Sequence, residues 1–106
     1  MQRVSEQSGN GNGVFYIEHI LKEELAGKCS LYAKVTVPPK ASVPYHEHHG
    51  DSENYYILAG EGVYDDNGVK RTVKAGDSTW TPDGSGHSIE NLSDTDLVFM
   101  ALIINS

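Results

Sequence analysis

The stretch that decides the fold runs His46-Glu47-His48-His49-Gly50-Asp51-Ser52-Glu53-Asn54-Tyr55-Tyr56-Ile57-Leu58-Ala59-Gly60. Three of the chain's five histidines fall in its first four residues. Side chains alternate across an extended strand, so His46 and His48 share one face while Glu47 and His49 share the other. Two imidazoles about 7 Å apart along one strand face can meet at one ion. The polar loop His49-Gly50-Asp51-Ser52 follows, and Glu53 opens a second strand, where its carboxylate can turn toward the same point. Alternation from Glu53 puts Tyr55, Ile57 and Ala59 on the inner face. Tyr55, a phenol two residues from a candidate ligand, is the candidate catalytic residue. Glu47 and His49 read as surface, and the isolated His19 is given no role.

Working outward, the same short β-branched and aromatic runs recur between turn residues. Phe15-Tyr16-Ile17 begins a strand, Leu21 to Leu25 allows a brief helical turn ended by Gly27, and Cys29 to Val37 alternates until Pro38-Pro39 stops it. A strand from Val43 to His48 precedes the one from Glu53 to Ala59. Val63-Tyr64 and Val69 to Val73 flank Asp66-Asn67-Gly68, a hairpin signal because Asn-Gly tolerates positive φ. Asp77 to Thr81, His87 to Asn91 and Leu97 to Ile104 complete the set. About eight or nine short strands without a long helix give an all-β fold, a sandwich or jelly-roll barrel in one domain. Residues 1–13, with Gly9-Asn10-Gly11-Asn12, are expected to be a loose polar arm, and residues 14–106 the domain. Downstream, the turn Pro82-Asp83-Gly84-Ser85-Gly86 is suited to placing His87 beside the first pair, which makes it the fourth candidate ligand.

Composition narrows the function. The 106 residues carry 8 Lys and Arg against 15 Asp and Glu, a net charge of −7. The basic residues are scattered, which argues against nucleic acid and against an anionic membrane surface. Cys29 is the single cysteine, the start lacks a signal-peptide pattern, and the apolar run Leu97 to Ile104 is too short to cross a bilayer. The expected location is the cytoplasm.

The spacing of these residues resembles the cupin family. His46-Glu47-His48, Glu53 and Gly60 match its first motif, an HxH pair with Glu and Gly at fixed distances. Gly76, Pro82, Gly84, His87 and Asn91 match its second. One position departs from the pattern: Lys40 stands where the first motif has a glycine, which removes a turn residue but no ligand. The resemblance implies a cupin jelly-roll barrel, the double-stranded β-helix, with a metal held by His46, His48, Glu53 and His87.

Three imidazoles and a carboxylate suit a divalent ion such as Mn, Fe, Ni, Zn or Cu, and softness alone does not choose among them. Tetrahedral zinc would be saturated by four protein ligands, whereas an octahedral ion keeps two positions open. The resemblance to metal-dependent cupins therefore favours Mn or Fe. No spare inward acid or base is evident near the ion, and Lys40 is the one nearby cation. The leading expectation is a metal-dependent enzyme, an oxygenase or lyase acting on a small chelating organic acid or enediol. A non-catalytic module that binds or senses a small molecule is the alternative, and a sugar-isomerase-like enzyme the third. Leu97 to Ile104 is apolar at every position, so its outer face needs a cover, and a homodimer is the expected one.

Overall fold

The computed structural model describes residues 3–7 and 13–106. Ten strands alternate with short turns: β1 (Arg3–Gln7), β2 (Phe15–Leu21), β3 (Cys29–Val37), β4 (Ser42–Glu47), β5 (Asp51–Ala59), β6 (Glu61–Asp66), β7 (Val69–Lys74), β8 (Ser78–Thr81), β9 (Gly86–Glu90) and β10 (Leu97–Asn105). One 3-10 turn, Glu23–Leu25, joins β2 to β3 and ends in left-handed backbone at Ala26 and Gly27. The sequence reading anticipates nine of these strands. The tenth is β1, which pairs antiparallel with β2 where a loose arm is expected. The rest of that arm, residues 1–2 and 8–12, lies outside the described residues.

The strands form two sheets, one ordered β1-β2-β3-β10-β5-β8 and the other β4-β9-β6-β7. Val35, Val37, Ile57, Leu97 and Phe99 from the first sheet pack against Val43, Tyr64 and Ile89 from the second. A core drawn from the inner faces of two antiparallel sheets is that of the jelly roll, the double-stranded β-helix. The β6–β7 hairpin turns at Asn67 and Gly68, both at positive φ (51° and 98°), as the Asn-Gly signal requires.

Alternation along β5 holds through Glu53, Tyr55 and Ile57 and then fails. Ala59 is exposed rather than inward. The cause is a bulge: Phe99 of β10 faces Ile57 while Val98 faces Ala59, so Leu58 is an extra residue and the face inverts beyond it. Lys40, at the position where the first motif has a glycine, has left-handed backbone with φ at 69°. Its backbone N–H donates to the Asn91 carbonyl (2.8 Å), and its ammonium donates to the Leu92 carbonyl (2.7 Å). Those bonds hold a left-handed residue whose side chain disfavours it.

Candidate metal centre

Two pairings assemble the site. Strand β4 lies antiparallel to β9 with His46 directly opposite His87. Strand β5, in the other sheet, carries Glu53 opposite Thr81 of β8. His48 lies just past β4, where its backbone N–H donates to the Ser85 carbonyl and its own carbonyl accepts from Gly84 N–H. The Pro82–Gly86 turn is thus bound to the HxH segment, which brings His87 to the first pair. His48, Glu53 and His87 are buried, His46 is half-buried, and Glu47 and His49 are exposed, as alternation requires.

The four donor atoms converge. His87 Nε2 lies 2.9 Å from His46 Nε2, 3.1 Å from His48 Nε2 and 2.9 Å from Glu53 Oε1. Glu53 Oε1 is also 3.0 Å from His48 Nε2 and 3.6 Å from His46 Nε2. Neighbouring donors that each sit about 2.1 Å from one ion lie roughly 3 to 3.4 Å apart, close to most of these separations, and all four donor atoms lie within 4.8 Å of one another.

The outer nitrogens say which ring atoms are free. His46 Nδ1 donates to the Pro44 carbonyl (2.8 Å), and His48 Nδ1 to the Asp51 carboxylate (2.8 Å). His87 Nδ1 lies 2.8 Å from both the Tyr64 and the Thr81 hydroxyls. The carbonyl and carboxylate acceptors make Nδ1 the N–H of His46 and His48 and leave their Nε2 atoms as lone pairs, whereas the two hydroxyls at His87 Nδ1 can either donate or accept. In the neutral rings the Nε2 lone pairs of His46 and His48 then crowd the Glu53 carboxylate oxygen and His87 Nε2. That arrangement repels itself unless a cation sits among it, so the donor set suits a metal ion.

Ionisation follows the same contacts. Burial pushes the Glu53 carboxyl up, but the imidazoles of His46 and His87 outweigh it and hold Glu53 below its ordinary value. Burial pulls His46 down, yet Glu53 and the Pro44 carbonyl leave it raised. For His87 burial dominates, and its value falls. Burial also drives the Tyr55 phenol well above its usual range, so it stays protonated.

A cavity of about 350 Å³ adjoins the centre. His46, His48, Glu53 and Tyr55 are its polar lining, and the rest is apolar. Tyr55 stacks on the His87 ring (centroids 4.8 Å apart) and against Phe99, and no protein group among the described residues hydrogen-bonds its hydroxyl. Asn91, by contrast, is committed to structure, donating to the carbonyls of Val37 and Thr95. Among the described side chains no Lys or Arg lines the cavity, and Lys40 instead bonds Leu92 and pairs with Asp94.

The sequence reading brings the four candidate ligands and Tyr55 together and overlooks Asp51, Tyr64 and Thr81, which orient the imidazoles. Asp51 had a local signal, an acid three residues after His48 in a tight loop. Tyr64 and Thr81 had none, because the pairings that bring them to His87 are long-range.

The chain belongs to the cupin family: residues 33–103 match the cupin domain, Cupin_2. It is 47% identical over 104 residues to an oxalate-binding protein from Thermotoga maritima, covering 97% of this chain and 85% of that one. A crystal structure from Thermotoga maritima, described as a predicted oxalate decarboxylase, superposes with a TM-score of 0.91 at 43% identity, covering 99% of this chain and 92% of that one. An oxalate decarboxylase from Bacillus subtilis is 36% identical over 75 residues, which is 66% of this chain but 20% of that protein.

Proposed function

We propose that the protein holds one divalent ion through His46, His48, Glu53 and His87, and binds a small chelating organic acid at it. The observation behind this is the set of four converging donors beside a cavity whose other walls are almost wholly apolar. Similarity to the oxalate-binding protein and to the oxalate decarboxylase supports an acid of the oxalate type, and we put manganese first among the metals. A nitrogen and oxygen donor set without thiolate is in keeping with that choice.

A bound ion supplies a Lewis-acidic point for two oxygens of the acid. The chain supplies the rest. Glu53 sets the charge of the centre, His46, His48 and His87 hold their lone pairs inward, and Tyr55 offers a neutral O–H as a hydrogen-bond donor to the acid. Binding comes first because Tyr55 is the one non-ligand polar side chain of the cavity among the described residues, and its raised value makes it a weak proton donor. A lyase is the second reading, favoured by the decarboxylase relatives. A sugar-phosphate substrate is disfavoured because no described lining residue is a cation. We further propose a homodimer in the cytoplasm.

Calorimetric titration of the manganese-loaded protein with oxalate tests the reading. One acid per chain is expected, with no binding after chelation of the metal. Tyr55→Phe should keep the metal and weaken the acid about two- to tenfold, as for loss of one hydrogen bond. Release of carbon dioxide and formate would move the assignment to the lyase, and a loaded protein that ignores oxalate and other chelating acids would refute both.

A further inference from the structure

We infer that the acid preferred by this site is a monoanion with an apolar substituent, a 2-oxo or 2-hydroxy acid bearing an aliphatic or aromatic tail, ahead of a bare dianion such as oxalate. The inference rests on the reading above, that a divalent ion in the four-residue centre takes a chelating acid.

Charge is the first argument. With three neutral imidazoles, a divalent ion and the Glu53 carboxylate leave one net positive charge. A monoanionic acid brings the centre to neutrality, whereas a dianion leaves an uncompensated negative charge. Among the described side chains no Lys or Arg lines the cavity to receive it. An unpaired charge held against apolar walls is costly.

Shape is the second. On the inner face of the large sheet, Glu53 of β5 is in register with Ile103 of β10, and Ile103 with Leu31 of β3. Neighbouring strands are about 4.8 Å apart, so this apolar row extends roughly 10 Å from the carboxylate. The next row begins with Tyr55 and continues through Ala101, which faces Ala33, two small residues that leave space between the larger ones. Phe15 and Ile17 of β2 add to its apolar lining. A two-carbon dianion at the metal end would leave that side of the 350 Å³ cavity to water, and an apolar tail would fill it.

The test uses the manganese-loaded protein and follows water-proton relaxation and heat as each acid is added. The series is oxalate, glyoxylate, pyruvate, 2-oxobutanoate, 4-methyl-2-oxopentanoate and phenylpyruvate. Affinity should rise about fourfold per buried methylene, and 4-methyl-2-oxopentanoate should bind at least about tenfold tighter than oxalate. Leu31→Lys, which sets a cation on the apolar wall, should erase the tail gain and strengthen oxalate. If that variant does not fold, the wild-type series decides alone. Affinity independent of the tail, or oxalate binding tightest, would overturn this inference and leave the chelating-acid reading intact. No response to any acid would overturn both.

Discussion

The proposed ligands depend on groups that would not themselves touch the ion. Asp51 accepts the Nδ1 proton of His48 at 2.8 Å and is itself partly exposed, so it can be removed without opening the core. Asp51→Ala should lower metal affinity about 10- to 100-fold with little change in folding, read by competition with a coloured chelator. Affinity equal to wild type would mean that Asp51 does not orient His48. At this scale the inward faces were legible where alternation governs. His46, His48, Glu53 and Tyr55 follow from a two-residue period and a tight loop. Tyr64 and Thr81 were not legible, because they reach His87 through the β6–β9 pairing and across from β8, which no local pattern records.

At the scale of elements, turns fix the register on which the site depends. Gly60, between β5 and β6, has φ of 84°, and a side chain there would press on the Asp96 carbonyl and on Leu97 Cα at 3.0 Å. Gly50, in the loop ahead of β5, has φ of 86°, and a methyl group there would meet nothing within 4 Å. Gly60→Ala should therefore cost about 2–4 kcal/mol, against about 1 kcal/mol for Gly50→Ala, measured by denaturant unfolding. Equal losses would show that backbone conformation alone matters at both sites. Strand positions were read correctly because Pro38-Pro39, Asn67-Gly68 and Pro82 punctuate them. Two features escaped that reading for physical reasons. The bulge at Leu58 is set by pairing with β10, and β1 is defined by its partner β2 rather than by its own polar composition.

For the whole molecule, metal and stability should be linked. In the metal-free protein the histidines oppose one another. His87, lowered chiefly by burial, adds stability that is full above about 6.5 and lost as pH falls through its folded value. His46, raised because Glu53 and Pro44 outweigh burial, adds stability that is full below about 6.5 and lost as pH rises through its folded value. The metal breaks this balance, since it needs all three rings unprotonated. At neutral pH, with free ion about 100-fold above its dissociation constant, chelator should lower Tm by about 10 °C, and the shift should shrink toward zero near pH 5. Equal shifts at the two pH values would contradict the linkage. The outer face of the large sheet bears on assembly: Tyr16, Tyr56, Leu58, Trp80 and Ile104 are exposed, and β1 extends that sheet's edge instead of covering it. Light scattering should accordingly give about twice the 11.6 kDa chain mass, and a value near 11.6 kDa would leave a monomer.

The most direct measurement is elemental analysis of wild type, His48→Ala and His49→Ala after saturation with manganese and removal of free ion. The two histidines are adjacent in sequence, yet one is buried at the centre and the other is exposed beside Glu47. One ion per chain is expected in wild type and His49→Ala, and none in His48→Ala. Equal metal loss from both variants, or no stoichiometric metal in the wild-type protein, would contradict the assignment of His46, His48, Glu53 and His87 as the metal centre.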